Sequence, residues 1–112
     1  MNPKSARDEE KDTVITFHPQ MVHVGDTNVL VRILRDKGDI KEPKVRFLTG
    51  DPPYDNEYIK EIAKDVDAFQ IDVYINILDL AAAISSNKII VENGDGKTFT
   101  SSDVFKVVKK PK

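Results

Sequence analysis

The sequence predicts an all-β domain, a two-sheet sandwich of about seven short strands. Three observations predict it. Apolar residues alternate with polar ones in at least five segments, which is the strand period. Gly, Pro, Asn and Asp clusters separate those segments at short intervals. The chain has 112 residues, enough for one core of its own.

The strands follow in order. Residues 1–12 hold no apolar residue besides Met1 and Ala6 and are expected to form a disordered tail or linker, because they bury too little to offset ordering entropy. The domain is expected over residues 13–108, and residues 109–112 read as a second tail. Thr13-Val14-Ile15-Thr16-Phe17 is a first strand, ended at His18-Pro19 because proline lacks a ladder donor. Gly25-Asp26 makes a turn, and residues 27–34 form a strand with Val29, Val31 and Ile33 on one face. A polar turn at residues 36–39 leads to Lys44-Val45-Arg46-Phe47-Leu48, with Val45 and Phe47 inward, before Gly50-Asp51-Pro52-Pro53 breaks the chain.

Residues 68–77 are the clearest strand. Phe69, Ile71, Val73, Ile75 and Ile77 share one face, and Gln70, Asp72, Tyr74 and Asn76 the other. Residues 88–92 form another strand. Asn93-Gly94-Asp95-Gly96 is a tight hairpin signal that calls for positive φ at one glycine or the other. The return strand is interrupted: residues 98–100 pair first, and residues 104–108 continue after Ser101-Ser102-Asp103, with Phe105 and Val107 inward. Residues 79–84 start acidic and contain good helix formers, so a helical turn is expected there. Residues 57–66 are compatible with either a helix or an edge strand, since Ile59, Ile62 and Val66 lie at roughly helical spacing. The expected core includes Val31, Ile33, Phe47, Ile71, Val73, Ile75, Val91 and Phe105.

Several of these pieces carry a resemblance. Ile15-x-x-x-Pro19 is followed by Val24-Gly25-Asp26, then by Val29-x-Val31-x-Ile33 and Val45-x-Phe47-x-x-Gly50. Ile89-x-Val91-x-Asn93-x-Asp95-Gly96-x-Thr98 comes last and closes on Phe105-x-Val107. With these residues the chain resembles the IPT/TIG family, the immunoglobulin-like domains of plexins, some transcription factors and many bacterial surface proteins. The resemblance implies an immunoglobulin-like sandwich without a shared set of catalytic residues. It also implies a module that spaces domains, pairs with other domains or recognises a ligand through loops. An extracellular or cell-surface setting is implied with it; any export signal would lie outside this chain, whose N-terminus has no apolar signal core.

Composition bounds the chemistry. There is no cysteine, which excludes disulfides, thiol catalysis and cysteine-ligated zinc. Lys+Arg number 17 against Asp+Glu 19, so no basic field favours nucleic acid. No apolar run suffices to span a bilayer as a helix. His18 and His23 are the only histidines, and zinc needs three or four ligands. Asp36-x-x-Asp39 and Asp51-x-x-x-Asp55-Asn56-Glu57 offer oxygens, but neither has the alternating pattern of a calcium loop. Solvated turns are the expectation, with no metal and no cofactor. Glu9-Glu10 lies in the tail and Asp65 with Asp67 flanks Val66, so neither pair marks an acid–base site.

Tyr54 and Tyr58, beside Pro52-Pro53, form the one loop rich in aromatic and proline residues. Such rings anchor protein partners or stack on sugars, or else they cover the open edge of a sandwich. Tyr74, on the polar face of residues 68–77, is the other candidate contact. The chain is expected to be non-catalytic, a structural or protein-interaction module whose partner is a protein or a neighbouring domain. A carbohydrate-binding accessory domain is the alternative. It is weakened by the aromatic count of 3 Tyr, 5 Phe and no Trp, because a sugar platform needs several coplanar rings.

Overall fold

The computed structural model describes residues 14–35, 41–79 and 84–110. The expected tail at 1–12, the turn at 36–39, most of the helical turn at 79–84 and the final two residues lie outside the described residues.

The fold is all-β, with no helix among the described residues. Ten strands run in the order β1 (Val14–His18), β2 (Met21–His23), β3 (Val29–Arg35), β4 (Lys44–Thr49), β5 (Tyr54–Asp55), β6 (Ile59–Val66), β7 (Gln70–Ile77), β8 (Ser85–Glu92), β9 (Thr98–Ser101) and β10 (Phe105–Val108). They form one open hydrogen-bonded sheet, ordered β2-β10-β8-β9-β1-β3-β7-β6, with β4 on the other edge of β8 and β5 beyond it. The sequence pointed to about seven strands in two sheets. The hydrogen bonding is continuous because β1 pairs on both edges, antiparallel with β3 and parallel with β9.

One face of this sheet is buried along β1, β3, β7, β8, β9 and β10, while β5 and β6 beyond Ile59 stay largely open to solvent. All eight expected core residues are at most 6% exposed, and Ile15, Phe17, Val22, Ile59, Ile77, Ile89, Phe99 and Val107 join them in one cluster. Val29 and Val45 are half-buried and pack against it. Phe105 sits at its centre. Its ring meets Phe17 edge-on at 5.9 Å and Phe47 at 5.3 Å between centroids, geometries that suit the ring quadrupole.

Two expectations need correction, and one open alternative is resolved. Phe69 does not belong to the inward row: it is 51% exposed. It lies in a two-residue turn closed by Asp67 and Gln70, whose main-chain groups exchange bonds of 2.7 and 3.4 Å, so the alternation begins only at Gln70. Residues 59–66 are an edge strand, and their helical spacing comes from a β-bulge. Ile62 is the extra residue between Glu61, opposite Ile75, and Ala63, opposite Tyr74. The short strands β2 and β5 are also additional to those the sequence indicated.

The interruption between β9 and β10 falls where the sequence placed it, and a buried serine explains how the ladder survives. Both pieces pair with the same edge of β8, β9 through residues 90–92 and β10 through residues 85–87. At the junction the amide of Ile89 donates to Ser101 Oγ at 3.0 Å, and that hydroxyl donates to Asp103 O at 2.9 Å. The side chain thereby supplies the acceptor that the broken strand does not. In the hairpin before it, Gly96 N donates to Asn93 O, Asn93 N donates to Lys97 O, and Gly96 has φ +89°. This is a three-residue loop with glycine at the left-handed position.

Candidate functional site

Tyr54 and Tyr58 come together at the mouth of one open groove of about 320 Å³, lined also by Thr49, Asn56, Glu57 and Ser85. Tyr54 lies on β5 and is 62% exposed; Tyr58 is half-buried in the turn before β6. Gly50 holds the first ring in place. It has φ +90°, and a Cβ added there would run into the Tyr54 ring, so the ring rests directly on bare backbone. β5 itself is fixed by two pairings to β4, Leu48 with Asp55 and Thr49 with Tyr54.

Beneath the tyrosines lies a polar network that anchors the loop to the core. Asn56 is 7% exposed and Asn87 1%. The Asn56 amide nitrogen donates to Asn87 Oδ1 at 2.8 Å and to Ser85 Oγ at 2.9 Å. Asn56 Oδ1 accepts the amide of Tyr58 at 2.9 Å, an Asx turn that sets the second tyrosine. Asn87 Nδ2 donates to Phe105 O at 2.9 Å and to Ser85 Oγ at 3.1 Å. Both amides have their donors fully used, which makes burial affordable. Sequence reasoning missed this network. The signal was there in Asn87, which falls in phase with Ile89 and Val91 on the inward face.

Charge around the groove is partly compensated. Arg46 Nε and Nη2 donate to the two Asp55 oxygens at 2.9 and 3.0 Å, and Arg46 Nη1 reaches Glu92 at 3.2 Å. The hydrogen bond from Arg46 holds the Asp55 carboxyl below its ordinary range.

Tyr74 belongs to a different surface. It lies on β7 between the buried Val73 and Ile75, so its side chain faces away from the core, opposite Leu30 and Ala63. Its neighbours on that face include a forked ion pair, with Arg32 donating to both Asp72 oxygens at 2.9 and 3.1 Å. The Arg32 bond lowers the Asp72 carboxyl, and Gln70 Nε2 adds a bond at 3.3 Å. Further along this face Thr16, His18, Leu30, Arg32 and Leu34 line a groove of about 310 Å³.

The acidic turns have local partners. Asp95 Oδ1 accepts the amide of Lys97 at 3.0 Å, which lowers that carboxyl, and Asp26 Oδ2 accepts the amide of His23 at 2.8 Å. Among the described residues no three His, Cys, Asp or Glu side chains group closely enough to hold a metal. No helix among them is long and apolar enough to cross a membrane. Comparison with protein-family models gives no match for this chain, and comparison with curated proteins gives none.

Proposed function

We propose that this chain is an immunoglobulin-like sandwich of the IPT/TIG kind that binds a protein partner, without catalysis, through the groove of Tyr54 and Tyr58. The observation that carries the site is the seating of Tyr54. An exposed ring lies on Gly50, next to a second tyrosine whose turn is pinned by Asn56. Large rigid aromatic area at low entropic cost is what interface anchors supply.

The sandwich reading has support in the burial pattern. A sheet whose central strands hide one face must cover that face with other parts of itself, and Phe17 on β1 and Phe47 on β4 both meet Phe105 on β10. The family reading rests on the sequence pieces named above.

Protein is favoured over carbohydrate by the state of the groove's polar groups. Sugars need several free donors and acceptors beside the rings. Here the Asn56 amide, Ser85 Oγ and Thr49 Oγ1 already serve internal bonds, so the two tyrosine rings and the Glu57 carboxylate are what the groove chiefly offers a ligand.

The test is selection of displayed protein and peptide ligands on the intact chain, repeated on the Tyr54→Ser/Tyr58→Ser variant. Ligands that bind the parent and not the folded variant support the reading. Ligands that bind both equally place the contact elsewhere.

A further inference from the structure

The loop between β4 and β5 has a second groove on its other side. It encloses about 360 Å³ and is lined by Leu48, Pro53, Lys88, Ile90, Thr100 and Val104. Its apolar wall is made of outward residues. Leu48 follows the buried Phe47, and Ile90 stands between the buried Ile89 and Val91. Thr49 lines both grooves, and its hydroxyl ties β4 to β8 by donating to Ser86 O at 2.9 Å. Pro53 faces one groove and Tyr54, the next residue, the other. The loop is therefore a narrow ridge, apolar on one flank and tyrosine-lined on the other.

Residues 49–59, which make up the ridge and the turn after β5, hold Asp51, Asp55 and Glu57 and no basic residue. Asp51 and Glu57 are exposed and make no ion pair among the described residues. Lys88 is the cation lining the apolar groove, and its ammonium is turned onto Ser101 O and Ser102 O at 3.2 and 2.9 Å. Among the described residues the exposed Asp51 and Glu57 carboxylates have no cationic partner, and a basic one would complement them.

We propose that one partner grips this ridge from both sides, and that it is a basic polypeptide segment. An apolar side chain enters over Leu48, Ile90 and Val104, while Lys or Arg side chains meet Asp51 and Glu57. This rests on the protein-binding reading and adds the partner's chemistry to it. Because the grooves share Thr49 and part at consecutive residues, a segment seated in one is already at the lip of the other.

The probe is a displayed library of random linear peptides, selected on the intact chain, with one enriched sequence synthesised for titration. Enriched peptides are expected to carry net positive charge and an apolar residue. Affinity should fall about tenfold or more on Asp51→Lys/Glu57→Lys, on Leu48→Ser and on Tyr54→Ser. It should hold on the charge reversal Lys97→Glu in the β8–β9 hairpin, a residue that lines neither groove. Thermal melts of each variant separate lost contact from lost fold. Peptides that need Tyr54 but are acidic or neutral, or ignore the charge reversal, would overturn the basic partner and leave the protein-binding reading standing. Peptides indifferent to Tyr54 would overturn both, as would oligosaccharide binding that Tyr54→Ser abolishes. Failure to enrich any peptide would overturn the linear-segment proposal alone, provided folded ligands still bind through Tyr54.

Discussion

Lys64 Nζ donates to the main-chain oxygen of Pro43 at 2.7 Å, linking the edge strand β6 to the residue that leads into β4. Lys64 is opposite Val73, so it sits in the inward phase of β6, and Glu61 lies within 3.8 Å of it. A charged pair in that phase, together with the bulge at Ile62, makes β6 a poor template for another strand.

Removing both devices should therefore expose an edge. Lys64→Val combined with deletion of Ile62 is expected to raise self-association above that of the parent chain, measured by light scattering across a concentration series. Unchanged mass would mean that something else guards β6.

The buried amide network under the tyrosines predicts a clear stability cost when it is broken. Asn87→Ala removes the acceptor for Asn56 and the donor for Phe105 O, both buried. Leaving such groups unpartnered costs about 1–3 kcal/mol. Urea denaturation would read it, and a loss below about 0.5 kcal/mol would mean that water replaces the bonds.

Phe105→Ala is expected to cost about 3–5 kcal/mol, since the ring is fully buried between Phe17 and Phe47. Thr100→Ala, at an exposed position of β9, should stay within about 0.5 kcal/mol. Similar losses at the two positions in the same denaturant series would contradict the inward assignment.

How much of this was legible in the sequence depended on the regularity of each strand. The rows Val31-Ile33, Ile71-Val73-Ile75 and Phe105-Val107 alternate cleanly, and all are buried. β6 stayed ambiguous because an extra residue at Ile62 breaks the period of two. Phe69 misled because a turn residue fell in phase with the strand after it. The parallel pairings of β1 with β9 and β2 with β10 join segments far apart in sequence, and no local pattern encodes them. Tyr54 and Tyr58 were legible as a pair. Of the asparagines holding them, Asn87 was legible through its phase with Ile89 and Val91, and Asn56 was not, because it lies in a turn outside any alternating row.

Acid should weaken the fold through Asp55, Asp72 and Asp95. Arg46, Arg32 and the Lys97 amide hold these carboxyls below their ordinary value of 3.8. A carboxyl lowered in the folded state stabilises the fold above its unfolded pKa, and that stability is lost as pH falls through the lowered value. Urea midpoints are expected to fall from about pH 4 downward, and less steeply in Asp72→Asn. An acid limb of the same slope in that variant would remove Asp72 from the explanation.

The most direct test of the central claim is a nuclear magnetic resonance titration of the isotope-labelled chain with a ligand selected on it. Amide shifts are expected to concentrate at Thr49, Tyr54, Asn56 and Tyr58, with the amides around Tyr74 and Asp72 still, and Tyr54→Ser/Tyr58→Ser should abolish them. Shifts centred instead on Gln70, Asp72 and Tyr74, and surviving that double substitution, would contradict the claim and move the contact to the open sheet face.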